Sequence, residues 1–251
     1  MKISVITVVY NSEKTIACAI ESVASQSYQN VEHIVIDGGS TDGTLGIVSN
    51  YSDRLSFVVS EPDGGIYDAM NKGLNLATGD VIGTLNADDL YFDSECLKRV
   101  ANEFKNKNVE SVFADLVFVN PDNLDRIVRY YSSEKFCLGQ FAYGWMPAHP
   151  TFFVRKDCYR MYGNYKTDYK IAADFELLVR FLLSNRITYS HIKNVIVKMR
   201  TGGVSTKNLM SNWILNQEIV RACRENDVDT NILKVMSKYF RKSLQLFQRP
   251  Q

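Results

Sequence analysis

The sequence lacks any apolar run of the roughly 18 residues that cross a bilayer as a helix. It also lacks paired-cysteine signals: Cys18, Cys96, Cys137, Cys158 and Cys223 are odd in number, scattered and never spaced as CxxC. The first absence excludes a spanning helix, and the second predicts reduced thiols in a cytosolic protein. Neither sign of charge is in surplus, with 29 Lys+Arg against 28 Asp+Glu, so the total does not suggest a nucleic-acid partner. No internal repeat or low-complexity linker interrupts the chain. The N-terminal apolar run at 3–9 is too short for a signal segment and ends in YNSEK, which reads as a strand. Fourteen Tyr and 13 Phe rule out disorder. A chain of 251 residues can fold as one α/β domain without disulfide staples.

The even charge hides an asymmetry. Residues 190–251 hold 11 Lys+Arg and 4 Asp+Glu, whereas the rest holds 18 and 24. An acidic body thus carries a basic C-terminal segment, read either as a solvated helical face or as a surface that meets something anionic. Within it, residues 232–247 place Ile232, Val235, Met236, Tyr239, Phe240 and Phe247 near helical spacing, with Lys234, Lys238, Arg241 and Lys242 mainly off that stripe. Such a basic amphipathic helix either docks on a membrane surface or packs on the domain or in a homodimer.

Periodicity alternates between strand and helix. Runs at 3–9, 31–36, 55–60 and 80–86 predict strands; 12–26 (with Ser12 as N-cap), a segment after GSTDGT, and 66–77 predict helices. A βαβα series of this kind implies right-handed crossovers and a Rossmann-like doubly wound sheet, with ligands at the carboxyl ends of the strands. Those ends are Tyr10-Asn11, Asp37-Gly38-Gly39-Ser40, Glu61-Pro62-Asp63 and Asn86-Ala87-Asp88-Asp89. Three of the four carry carboxylates. There is neither GxGxxG after the first strand nor a Walker GK[ST]. Further on, 110–119, 126–131 and 148–155 predict strands, 174–183 a helix, and 206–247 mostly helix.

Asp88 supports two readings from the residues alone. It is a carboxylate facing the dipole of a helix at 93–106, or a strand-end ligand for a hard cation that holds a diphosphate. Asp174, after Ala172-Ala173, reads as a helix N-cap or as a base. His149 is either a satisfied core histidine or a contact to phosphate or acceptor. Trp145 is a core tryptophan or a sugar-stacking face.

The pieces SVITVVYNSEKTI, VIDGGSTDGT, EPDGGIYDAMNKGLNLATGD, NADD, AHPTFFVR, KIAADFELLVRF and GGVST stand in order over residues 3–206. In that order and spacing the chain resembles a family-two inverting glycosyltransferase of the GT-A fold, of the bacterial O-antigen and capsular polysaccharide type. The resemblance implies a mixed α/β GT-A catalytic domain at 1–206, followed by a basic helical segment at 207–251. It implies a UDP-sugar donor and Mn2+ or Mg2+ held by Asp88, with Asn86 on the ribose and Asp89 orienting the turn. Asp37 and Asp63 fall at uracil recognition, although Gly38 stands where the family often has a second carboxylate. Asp174 becomes the base of a single displacement that yields a β-linkage from an α-linked hexose. Tyr67, Asp68 and Asn71 line the donor pocket, His149 stands beside the site, and Arg200 and Ser205 close over the diphosphate. The implied acceptor is an undecaprenyl-diphosphate-linked saccharide, met by a cytoplasmic enzyme peripheral to the inner membrane face. The rival functions are a sugar-nucleotide-binding module without use for Asp174, a nucleotidyltransferase, which would want a Gly-rich basic loop after the first strand, and a scaffold that needs neither carboxylate.

Overall fold

Ile3–Val9, apolar or β-branched at every position but Ser4, form β1, which is buried throughout. It lies between two parallel partners, β2 (Val31–Asp37) and β4 (Val81–Thr84), and β3 (Phe57–Ser60) adds a parallel edge beyond β2. The computed structural model describes residues 1–202 and 209–238. Continuous hydrophobicity in β1 follows from its position, because a central parallel strand has both faces covered. Ile6 and Val8 pack toward α3 (Ile66–Leu76), while Val9 meets α1 (Ile16–Ala24) and α2 (Thr44–Ser49) on the other face.

The sheet then turns mixed. Its order is β3-β2-β1-β4-β8-β6-β9-β5, with β8 at Phe153–Arg155, β6 at Ser111–Asn120, β9 at Tyr189–Arg200 and β5 at Asp89–Tyr91. β8 is antiparallel to both β4 and β6, β9 runs parallel to β6, and β5 pairs antiparallel with β9. β7 (Asn123–Tyr131) pairs with β6 as a hairpin, whose turn is fixed by Asn120 Oδ1 accepting from the Asp122 and Asn123 N–H groups.

Several boundaries differ from the sequence expectation. α1 starts at Ile16, with Thr15 at its N-cap; Ser12 instead accepts through its carbonyl from the Thr15 and Ile16 N–H groups. The strand expected over 148–155 is confined to β8. Pro150 has no N–H to give a ladder, and His149–Thr151 winds into a 3-10 turn closed by Thr151 Oγ1 on the Ala148 carbonyl. After β8 comes α5 (Lys156–Tyr162), and the expected helix at 174–183 is α6 (Ala173–Leu178), continued by a π-helical stretch at Val179–Ser184. α4 (Cys96–Lys107) is capped at Glu95, so Asp88 lies outside its first turn and the helix-dipole reading lapses.

The C-terminal segment is part of the body. α7 (Leu209–Glu225) buries Ile219, Val220, Ala222 and Cys223 in the same core as α6, and α8 (Ile232–Met236) buries Val235 there. Of the amphipathic stripe, Val235 therefore packs on the domain while Met236 stays exposed; off the stripe, Leu233 is exposed and Lys238 is buried. Tyr239, Phe240, Arg241, Lys242 and Phe247 lie outside the described residues, as does Ser205. No helix among the described residues is long and apolar enough to cross a membrane.

The N-terminus of the sheet is tied by Glu32 on β2. Its nearly buried carboxylate takes Lys2 Nζ at 2.5 Å, the Ser4 hydroxyl, the Thr78 hydroxyl at 2.8 Å and the Gly79 N–H at 2.9 Å. Burial alone would raise its pKa, but these partners hold it down at about 2, from an ordinary 4.5. The neighbouring His33, fully desolvated, is held at about 3 from 6.5. Both folded values are depressed, so both contributions are present above the unfolded values and fade as pH falls toward the folded ones. Stability should decline below pH 6.5 and more steeply from 4.5 to 2. Glu32 accounts for roughly 3 kcal/mol of that loss. Urea unfolding at pH 7, 5 and 3 checks this, and Glu32→Gln should flatten the lower part of the curve.

Candidate active site

Parallel pairing of β3, β2, β1 and β4 brings their carboxyl ends to one edge, and the candidate site is built there. At the β2 end, Asp37 is wholly buried. Its Oδ2 accepts from the Gly39 N–H at 3.1 Å, the Ser40 N–H at 3.0 Å and the Ser60 hydroxyl at 2.7 Å, and its Oδ1 from the Ser40 hydroxyl. A carboxylate so engaged shapes the turn at the edge where nucleotide recognition is expected. Asp63 takes the forward position. Its Oδ2 would lie 2.5 Å from a Cβ built on Gly38, so the missing side chain at 38 is what admits the Asp63 carboxylate. Beside them Tyr10, at the end of β1, is 62% exposed, a ring displayed at the edge without a packing duty to explain it.

Next along the edge, the NADD turn closes by the Asp89 N–H on the Asn86 carbonyl at 3.0 Å. Asn86 Nδ2 donates to Asp89 Oδ2 at 3.3 Å, leaving Asn86 Oδ1 and Asp89 Oδ1 buried without a donor. Burial, then the Asp88 charge, push Asp89 up to about 8, against the opposing pull of His149, the Asn86 amide and Arg200. The half-buried Asp88 carboxylate has no hydrogen-bond donor among the described residues. Side-chain oxygens short of donors on three residues of one turn suit a hard cation. No group of three or more His, Cys, Asp or Glu among the described residues forms a complete protein cage, so such an ion would need oxygens from a ligand as well. Arg200, at the end of β9, is buried and donates Nη1 to the Asp88 carbonyl at 2.5 Å. Its guanidinium therefore holds the turn through that backbone carbonyl.

Opposite this turn stand His149 and Asp174, with His149 Nδ1 3.0 Å from Asp174 Oδ2. Asp174 is not a cap: Ala172 is the N-cap of α6, and Asp174 is its second residue. Burial disfavours the imidazolium of His149, but the Asp174 carboxylate and the more distant Asp89 outweigh it and hold the pKa above its usual value.

The segment leading into α6 is fixed from two sides. Tyr67 on α3 is buried and donates its hydroxyl to the Ile171 carbonyl at 2.5 Å. Asn71 grips the Tyr165 backbone with both amide atoms, at 2.9 and 3.0 Å. Both side chains, expected to line the donor pocket, are bonded to this backbone; Asp68 pairs with Lys72 and the Gly64 N–H. From α7, Glu218 accepts the Lys170, Ile171 and Ala172 N–H groups at 2.7, 2.9 and 2.9 Å. Sequence reasoning missed Glu218, and a lone glutamate on a helix offered no signal for it. Also missed was Asp115 on β6. It accepts from His191 Nε2 at 2.9 Å, the Tyr130 hydroxyl and the Ser133 N–H at 2.7 Å, and Ser133 Oγ in turn receives the Ala148 N–H. This chain of bonds ends one residue before His149. Trp145 is stacked between Tyr131 and Phe136, so the core reading of it stands over sugar stacking.

With this geometry in place, three comparisons bear on the chain. Residues 4–163 match the family described as Glycosyl transferase family 2. An uncharacterized glycosyltransferase of Mycobacterium tuberculosis (strain ATCC 25618 / H37Rv) is 31% identical over 207 residues, covering 81% of this chain and 77% of that protein. Among solved structures, S. aureus TarS 1-349 in complex with UDP-GlcNAc superposes with a TM-score of 0.71 at 21% identity, over 91% of this chain and 68% of the other. The mannosyltransferase PcManGT from Pyrobaculum calidifontis, in complex with GDP-Man and Mn2+, gives 0.66 at 19% identity, over 92% and 65%. The curled mixed sheet is that of the GT-A glycosyltransferases.

Proposed function

The chain belongs to glycosyl transferase family 2 and is a glycosyltransferase, and from that premise we propose that it moves a hexose from a UDP-sugar to a lipid-linked saccharide with inversion. The observation that carries the reading is the pairing of the donor-poor NADD turn with the His149–Asp174 pair at one sheet edge. Asp63 accepts the imide N–H of uracil over Gly38, and Tyr10 offers the base a face. Asp37 holds the turn beneath them. Asn86 Oδ1 accepts a ribose hydroxyl, and Asp88 holds Mn2+ or Mg2+ against the diphosphate, with Arg200 fixing the Asp88 backbone. When bound, the ion acts as a Lewis acid toward the departing diphosphate. The complex of a structural neighbour with GDP-Man and Mn2+ supports this assignment.

The His149–Asp174 pair takes the acceptor hydroxyl's proton as that oxygen attacks the anomeric carbon. One displacement inverts, so an α-linked glucose, galactose or N-acetyl form gives a β-linkage. For the acceptor we propose an undecaprenyl-diphosphate-linked saccharide of bacterial surface polysaccharide synthesis, met at the inner face of the cytoplasmic membrane. Exposed Met210, Trp213, Leu233 and Met236 in the basic C-terminal region support that peripheral placement. Family membership leaves no ground for the binding-module and nucleotidyltransferase alternatives.

The test is a donor screen with UDP-, GDP- and dTDP-hexoses, a lipid-diphosphate saccharide acceptor, and Mn2+ present or chelated. UDP release with a sugar added to the lipid is expected; transfer from GDP- or dTDP-sugars alone would overturn the uridine assignment. The same assay reads Gly38→Ala, whose new methyl displaces the Asp63 carboxylate. The donor KM should rise about tenfold, the equivalent of one lost hydrogen bond to a charged group, with an unchanged melting temperature.

A further inference from the structure

The geometry points to Lys72 as a positioning residue of the donor site: from α3 it latches the 61–65 turn and so sets where the Asp63 carboxylate meets the base. The inference rests on the uridine-donor reading and adds to it a residue that touches no substrate. The Lys72 ammonium lies 2.8 Å from Glu61 Oε1 and 3.7 Å from Asp68 Oδ2, and it donates to the Pro62 carbonyl at 3.2 Å. Two of these three oxygens belong to the turn itself. The third completes the latch, because the same Asp68 oxygen accepts the Gly64 N–H at 3.0 Å. At the ends of the turn, the Glu61 N–H donates to the Asp37 carbonyl at 3.1 Å and the Gly65 N–H to Asp63 Oδ1 at 2.8 Å. The turn is thus held on both sides of Asp63.

The helix can serve as an anchor because it is itself fixed. Gly73 lets α3 lie directly on the sheet, since a Cβ there would stand 2.4 Å from Ile6 Cγ2 of β1 and 3.4 Å from Ile36 Cγ1 of β2. Ala69, Met70 and Leu74 are buried with it. Asp68 and Lys72, four residues apart, share a stripe beside this buried face. Tyr67 and Asn71 form the next stripe round, tied to the backbone at Ile171 and Tyr165. The Glu61 carboxylate keeps the ammonium above its ordinary pKa, so the latch stays charged at neutral pH. An ion pair this open to water adds little to stability. Its effect is geometric: a turn already in its bound conformation spares the donor the ordering that would otherwise weaken binding.

Calorimetric UDP binding by the full chain in Mn2+, alongside donor KM and kcat, decides the matter. Lys72→Met keeps a comparable helix propensity, so the melting temperature should hold. UDP affinity should fall and donor KM should rise, each about tenfold, with kcat at saturating donor retained. Lys72→Arg, which keeps the charge and the donors, should recover most of the loss. A double-mutant cycle with Asp63→Ala separates positioning from a general loosening of the protein. If Lys72 acts through the Asp63 carboxylate, Lys72→Met should cost less than about twofold in UDP affinity once that carboxylate is gone. Unchanged UDP affinity in Lys72→Met, or the same tenfold loss in both backgrounds, would overturn the inference while leaving glycosyl transfer intact. Failure of the uridine-donor reading looks different: the wild type itself would bind no UDP and release none from a UDP-sugar.

Discussion

Asp88→Ala is expected to lower sugar transfer by about 10²–10³-fold, the cost typical of losing one preorganised charge-stabilising element, while the fold persists. Without its counter-ion the turn presents carboxylates to an incoming diphosphate, and like charges repel. The donor-short oxygens of Asn86 and Asp89 would gain nothing from the change, since neither acquires a proton donor. The protein itself should not suffer. Asp88 is one of the two influences that raise the Asp89 pKa, so its removal relieves a buried carboxyl. Calorimetry should show UDP binding that no longer responds to Mn2+, with a melting temperature equal to or above that of the wild type. Full transfer by this variant in EDTA would sink the metal assignment.

Glu218→Ala should damage stability and chemistry together. The substitution strips the acceptor from three backbone N–H groups that enter α6, two of them partly buried. Leaving such donors unsatisfied costs about 3 kcal/mol in sum, or roughly 6–12 °C in melting temperature for a chain of this size. The loosened segment carries Asp174, so transfer should fall about 10²-fold even at temperatures where the variant is folded, in line with the price of a misplaced group. Donor binding, proposed to centre on Asp63 and Asp88, should be spared. A variant with normal turnover at 15 °C would reduce Glu218 to a stabilising contact.

The sequence made the first half of the sheet readable because its signals are local. β1, β2, α3 and β4 each announce themselves by period, and the NADD turn follows from residues that favour turns over strands. The second half hid because its rules are long-range. β9 mixes buried and exposed positions without alternation, and its pairing with β6 slips on either side of Asp115, which breaks the two-residue period. The chemical roles of Asp88 and Asp174 attach to local motifs, and the fold sets both residues at the candidate site. The bonds of Tyr67 and Arg200 were hidden for a different reason. Their partners are backbone carbonyls 104 and 112 residues away, which no spacing rule reaches.

Those remote bonds share a property with evolutionary weight. Tyr67 and Glu218 grip residues 170–172 only through carbonyl and N–H atoms, which every non-proline residue supplies alike. The side chains of Lys170 and Ile171 are thereby released from the work of holding the loop, and Lys170 stands exposed. Descendants of this scaffold can rewrite that stretch to suit a new acceptor while the His149–Asp174 pair stays in register. A library randomised at these two positions should yield folded, donor-binding proteins throughout, with differences confined to the sugar that is extended.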